Sequence, residues 1–115
     1  MSLQGEIALV TGAGNGMGRA IALEFANEGA SIVAADINAN AVDAVAAEIN
    51  DTGGSAIAVE ADLGDMASIG RMTVAAEAFG PISILVNNAG TTRYSALMDV
   101  TEADWDLFFA VNAKG

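Results

Sequence analysis

Cysteine and histidine are both absent from the 115 residues. Without cysteine there is no disulfide framework, and without either residue the usual zinc sites are excluded, so no metal site is expected. The lack of histidine also removes the commonest general base. Basic residues are scarce: four Lys plus Arg stand against fifteen Asp plus Glu, a net charge of −11. Nucleic acids and anionic membrane surfaces are gripped through lysine and arginine, so this composition argues against both as partners. The acids are scattered along the chain, which reads as solubility and not as an acidic tail. No basic segment with an apolar core precedes Glu6, so no secretory signal is expected. No apolar run approaches the length of a membrane span, and a cytoplasmic location is the expectation.

What remains is a chain of small apolar residues. With 53% hydrophobic and 17% charged residues, it has the composition of a globular protein and not of a disordered one. A chain of this length buries roughly two-thirds of its unfolded surface, enough for one modest core. No linker, repeat or low-complexity tract divides it, so a single domain spanning residues 1–115 is expected.

The densest signal is the stretch Val10-Thr11-Gly12-Ala13-Gly14-Asn15-Gly16-Met17-Gly18. An apolar β-run, Ile7 to Val10, enters it, and a helical pattern from Met17 to Asn27 leaves it. Glycines allow a tight strand-to-helix reversal with positive φ, and they remove the side chains that hold a ligand off the backbone. The helix that follows aims its unsatisfied N–H groups and the positive end of its dipole into the turn. Such a turn binds an anion, and a dinucleotide pyrophosphate is the anion that the context favours. That context requires an acid about 20 residues further on, at the end of the next strand. Ser31 to Ala35 reads as that strand and Asp36 as that acid.

The rest of the chain alternates in the same way. Ile7 to Thr11 suits a strand buried on both faces. In the first helix Met17, Ala20, Ile21 and Phe25 form an apolar stripe, and Gly29 ends it. Asn38 or Asn40 caps a second helix, in which Val42, Val45, Ala46 and Ile49 repeat at helical spacing. Ala56 to Val59 is a third strand, closing with Asp62-Leu63. A third helix runs from Asp65 to Phe79, with Ile69, Met72, Thr73, Ala76 and Phe79 inward, and Gly80-Pro81 stops it. Ile82 to Val86 is the fourth strand, followed by Asn87-Asn88-Ala89-Gly90. Thr101 to Asp104 looks like a helix start, with Trp105, Phe108 and Phe109 opening the apolar face of a fourth helix. Strands alternating with helices imply right-handed β-α-β crossovers and a parallel sheet.

By Asn87 to Gly90 the pattern resembles the amino-terminal half of the short-chain dehydrogenases/reductases. The match covers Gly5 to Gly115 and rests on four elements. These are Thr11-Gly12-x-x-x-Gly16-x-Gly18, Asp62-Leu63, Asn87 to Gly90, and Val111-Asn112. The resemblance implies an α/β, Rossmann-like doubly wound parallel sheet in the order 3-2-1-4, with helices on both faces. It implies Gly12, Gly16, Met17 and Gly18 around the pyrophosphate, Asp36 on the adenosine ribose, and Asp62 with the Leu63 backbone at the adenine. Asn88 would brace the central strands, Asn87, Ala89 and Gly90 would line the cofactor edge, and Asn112 would hold a water in a proton relay as a catalytic residue.

Cofactor choice follows from charge. A carboxylate at Asp36 accepts from a free 2′-hydroxyl and repels a 2′-phosphate. Relatives that use the phosphorylated cofactor resemble one another in a basic residue before the second conserved glycine or after the acid; here those positions hold Asn15 and Ile37. NAD is therefore expected over NADP. The family transfers hydride between nicotinamide and a secondary alcohol or ketone, using a tyrosine, a lysine four residues later and a serine. Tyr94 is followed at that spacing by Met98, the lone lysine is Lys114, and neither Ser83 nor Ser95 fits the family position, so this chain is expected to be inactive alone. An unpaired edge on the fourth strand is expected to drive self-association, and the family implies a homo-oligomer, a tetramer when complete. Two further readings stand beside the enzyme half: a non-catalytic nucleotide-binding module, and an interaction protein using the open strand edge. The gene sequence beyond Gly115 discriminates among them.

Overall fold

The structure, a computed structural model, describes residues 2–88 and the backbone of residues 109–111. In chain order these form β1 (Ile7–Thr11), α1 (Gly16–Asn27), β2 (Ser31–Asp36), α2 (Ala39–Asp51), β3 (Ala56–Glu60), α3 (Met66–Phe79), β4 (Ile84–Asn87) and β5 (Phe109–Val111). The strands make one parallel sheet in the order β3-β2-β1-β4-β5, which contains the expected 3-2-1-4 order.

The near-continuous apolar runs are explained by burial on two faces. Ala8 and Val10 of β1, Ile32 and Ala34 of β2, and Ile84 and Val86 of β4 join Ala22 of α1 and Val42, Val45 and Ile49 of α2 in one core. Their neighbours Leu9, Val33, Ala35 and Leu85 point to the other side, where Ile69, Met72 and Ala76 of α3 cover them. Successive strand side chains alternate between faces, so each run feeds both cores. The inward residues expected for α2 are all buried, as are Ile69, Met72, Thr73 and Ala76 of α3.

Two expectations are corrected. In α1 the buried positions are Gly18 and Ala22; Ile21 and Phe25 are half-buried, Ala20 is exposed and Met17 is 59% exposed. The helix lies so close to β1 that a Cβ on Gly18 would collide with the Gly12 carbonyl oxygen. Only the smallest residues fit that line of contact, and the large ones move to its flanks.

The second correction concerns the fourth helix. Residues 109–111 are extended and pair with β4 through Leu85–Phe109 and Val86–Val111, with an irregularity between Leu85 and Val86. β4 is buried throughout, and buried N–H and C=O groups on its outer edge need partners. Phe109-Ala110-Val111, with an aromatic and a β-branched residue, suits a pleated strand. The open edge expected on β4 is thus occupied at Leu85 and Val86, which removes the ground for self-association through those residues. The expected helix start at Thr101 to Asp104, with Trp105 and Phe108, lies outside the described residues.

Candidate functional site

The chain leaves β1 towards β2 and β3 on one side, and β4 lies on the other. The crevice at the carboxyl ends of β1 and β4 is therefore the point where the winding reverses, the usual ligand position in open α/β sheets. Thr11 and Asn87 end these two strands and are register partners. The Thr11 hydroxyl donates to Asn87 Oδ1 at 3.2 Å and accepts from the Asn88 N–H at 3.1 Å. Asn88 Nδ2 donates to the Gly12 carbonyl at 3.2 Å. Asn88 thus ties the end of β4 to the first residue of the glycine turn.

The glycines of the turn divide into two kinds. Gly12 and Gly16 have φ of +64° and +59°, the left-handed region that side chains disfavour. Gly14 and Gly18 have ordinary φ, and what they require is space: a Cβ on Gly18 would meet Gly12 and, at 2.5 Å, Asn88 Nδ2. The turn delivers the chain into α1 with its first N–H groups unclaimed by a cap. Asn15 sits at the N-cap position and makes no side-chain cap hydrogen bond, and Arg19 N–H to Asn15 O, at 3.3 Å, is the first bond of the helix. Gly16, Met17 and Gly18 precede it. α2 and α3 differ, since Asn38 and Asp65 cap them by accepting from Ala41 and Ala67. A backbone cradle with exposed Asn15, Gly16 and Met17 fits an anion such as a diphosphate.

Asp36 stands at the end of β2, beside this cradle. Its Oδ2 accepts from the Gly14 N–H at 2.9 Å and its Oδ1 from the Asn38 N–H at 3.1 Å. Each carboxylate oxygen has capacity for a further donor. The neighbouring Ile37 is 63% exposed and uncharged. At the end of β3 the Asp62 N–H donates to the buried Ser68 hydroxyl at 2.8 Å, and Asp62 Oδ1 accepts from Gly64 N–H at 2.8 Å. Thr11, Gly12, Asp36, Ile37, Asp62 and Leu63 share the lining of one cleft of about 330 Å³. It extends from the glycine turn across the ends of β2 and β3, a polar and apolar groove that could hold a nucleoside.

A larger hollow of about 530 Å³ lies at the opposite end of the sheet, between the ends of α1 and α2 and the start of β2. It is lined by Gly29, Ala30, Ile49 and Gly54 among others, and it contains neither the glycine turn nor the acids at the strand ends. The smaller cleft is the chemically equipped one. Among the described residues no group of His, Cys, Asp and Glu is arranged to hold a metal.

The sequence-derived residues Gly12, Gly16, Gly18, Asp36, Ile37, Asp62, Leu63 and Asn87 all gather at this end of the sheet. Ala89, Gly90 and Asn112 lie outside the described residues, as do Tyr94, Ser95 and Lys114. Sequence reasoning missed the Thr11 hydroxyl, the Gly14 N–H and the Ser68 hydroxyl as supports. Thr11 did carry a signal, being a polar residue closing a buried strand.

The same pattern is found in known proteins. The chain is 44% identical, over 100% of its length and 47% of the relative's, to (2S)-[(R)-hydroxy(phenyl)methyl]succinyl-CoA dehydrogenase subunit BbsD of Thauera aromatica. A hydroxysteroid dehydrogenase from Escherichia coli superposes with a TM-score of 0.85 at 31% identity, over 90% of this chain and 51% of that one. A 3-ketoacyl-(acyl-carrier-protein) reductase from Brucella melitensis, complexed with NADH, does so with a TM-score of 0.72 at 44% identity, over 77% of this chain and 36% of that one. The chain spans about half the length of the curated relative. Residues 6–115 match the model of the short chain dehydrogenase family, and with nearly its whole length accounted for the chain belongs to that family of oxidoreductases.

Proposed function

We propose that the protein is an NAD-dependent oxidoreductase acting on a secondary alcohol or ketone, and that these 115 residues are its coenzyme-holding half. One observation carries the coenzyme: the Asp36 carboxylate, anchored to Gly14 and Asn38, lines the same cleft as Gly12 and Asp62. The nicotinamide coenzyme supplies the hydride acceptor or donor. Around it the chain's own groups divide the work. The N–H groups at the start of α1 hold the diphosphate, Asp36 accepts from the ribose hydroxyls, and Asp62 with the Leu63 backbone meets the adenine. By the family resemblance Asn87, Ala89 and Gly90 would line the coenzyme edge, and Asn112 would hold a water in a proton relay.

NAD is preferred to NADP on charge. A 2′-phosphate at Asp36 would bring two anions together with no cation at Asn15 or Ile37 to offset them. A relative holding NADH supports the choice. The substrate class is supported by relatives named as hydroxy-compound dehydrogenases and a ketoacyl reductase. Proton transfer to the substrate oxygen is assigned to residues outside this chain, so the 115 residues bind NAD without turning over.

The test is made on the complete gene product. NAD and NADP are titrated against it, and a panel of secondary alcohols and ketones is followed by nicotinamide absorbance. NAD should bind at least tenfold more tightly than NADP, the order of effect expected for placing a phosphate against an unpaired carboxylate. Tighter binding of NADP would reverse the coenzyme assignment, and failure to bind either would sink the whole reading.

A further inference from the structure

We propose that Gly14 is a positioning residue for coenzyme selection, its N–H and its missing side chain together fixing the Asp36 carboxylate that faces the adenosine ribose. This rests on the cleft being an NAD site. Three glycines of the turn answer to the family pattern, Gly12, Gly16 and Gly18; Gly14 does not. Nor does its backbone demand glycine, since its φ lies outside the left-handed region. The demand is spatial. A Cβ at this position would lie 2.8 Å from Asp36 Oδ2, 3.2 Å from Asp36 Cγ and 2.8 Å from the Ala41 Cβ, all closer than real Cβ atoms approach without displacement or tight adjustment.

The neighbours differ in how they can yield. Ala41 is in the first turn of α2, and its N–H is held by Asn38 Oδ1 at 3.0 Å. Its Cβ has no rotamer to retreat into. The Asp36 carboxylate can rotate, but only by leaving the Gly14 N–H at 2.9 Å. Its other oxygen is held by the Asn38 N–H at 3.1 Å. One carboxylate thus joins three pieces of chain: the turn after β1, the end of β2 and the start of α2. Both oxygens are fixed in direction before a ligand arrives, which lowers the ordering cost of binding a vicinal diol. A side chain at position 14 removes that alignment without altering any charge.

The complete gene product is compared with Gly14→Ala, Asp36→Asn, Ala41→Gly and the pairs G14A/D36N and G14A/A41G. Dissociation constants for NAD and NADP are measured by calorimetry, and unliganded melting temperature by circular dichroism. Gly14→Ala should weaken NAD on the order of tenfold or more, the scale of a lost charge-assisted contact, and narrow the NAD-over-NADP ratio by a similar factor. In the Asp36→Asn background the same change should alter the ratio by less than about twofold, because the two act through one group. The pair G14A/A41G, read against Ala41→Gly alone, should still have the narrowed ratio even where stability has recovered. It also keeps the test in hand should Gly14→Ala fail to fold. A ratio unchanged by Gly14→Ala, or restored by relieving Ala41, overturns the role of Gly14 while leaving the NAD assignment standing. A parent protein that prefers NADP, or binds neither coenzyme, overturns both.

Discussion

Thr11 does more for the site than the glycines beside it would suggest. The residue is 1% exposed, and its hydroxyl links Asn87 Oδ1 and the Asn88 N–H across the switch point. Thr11→Val keeps the shape and removes the hydroxyl, so both groups lose that partner in a place water does not reach. The expected loss is about 1–3 kcal/mol in urea unfolding, with Thr11→Ser near the parent. A loss below about 0.5 kcal/mol, the range of ordinary surface changes, would show that the hydroxyl is not holding the crevice. Gly18→Ala is a harsher case. The new methyl would land on the Gly12 carbonyl, a backbone atom that cannot rotate away. Overpacking of this kind costs typically 1–3 kcal/mol and occasionally more, and it should lower the melting temperature and weaken coenzyme binding together. At this scale the positions of Gly18 and Asp36 were legible, because the glycine turn and the next strand end can be located by spacing along the chain. The Thr11 contacts were not, because they join positions 76 and 77 residues apart and depend on the register of β1 against β4.

The helices show how one local rule gives different results. Asn38 and Asp65 cap α2 and α3 with their side chains, while Asn15, of the same residue type as Asn38, leaves α1 open. Asn38→Ala should therefore cost about 1 kcal/mol in unliganded unfolding, whereas Asn15→Ala should cost only a few tenths. Equal losses would mean that Asn15 is a structural cap and that the cradle is closed to ligand. The ion pair between Arg19 and Glu48, at 2.6 Å, joins α1 to α2 but is nearly half exposed and contributes at most a fraction of a kcal/mol. β1 and β2 were legible from apolar runs bounded by glycine and polar residues, the pattern of strands buried on both faces, and β3, a half-buried strand at the end of the sheet, from a shorter run of the same kind. The stripe of α1 was misread because helical spacing gives the direction of a face and not the gap to the sheet, which here admits only Gly18 and Ala22. The extended segment at 109–111 was misread because a capping pattern upstream says nothing of an unfilled strand edge.

For the whole molecule, the site and the net charge oppose each other. The strand order, legible from the alternation of elements together with the family resemblance, puts the crevice beside the carboxyl ends of β1 and β4; no sequence feature announced the larger hollow at the other end. The 115 residues carry a net charge of −11, yet the ligand proposed for them is an anion. Long-range repulsion must be overcome by short-range donors. Those donors are backbone N–H groups, and the described cation closest in sequence to the cradle, Arg19, is already paired with Glu48. Salt therefore acts on the repulsion more than on the attraction. At low ionic strength the Debye length is about 30 Å at 0.01 M, and the field of the whole chain is felt at the crevice; at about 8 Å in 0.15 M salt most of it is screened. NADH binding to the 115-residue chain should accordingly hold constant or tighten, by about twofold, as sodium chloride rises over that range. Most phosphate sites built on lysine or arginine weaken under the same change, because salt screens their main attraction. A dissociation constant that rises threefold or more would mean that a cationic side chain, and not the start of α1, carries the diphosphate.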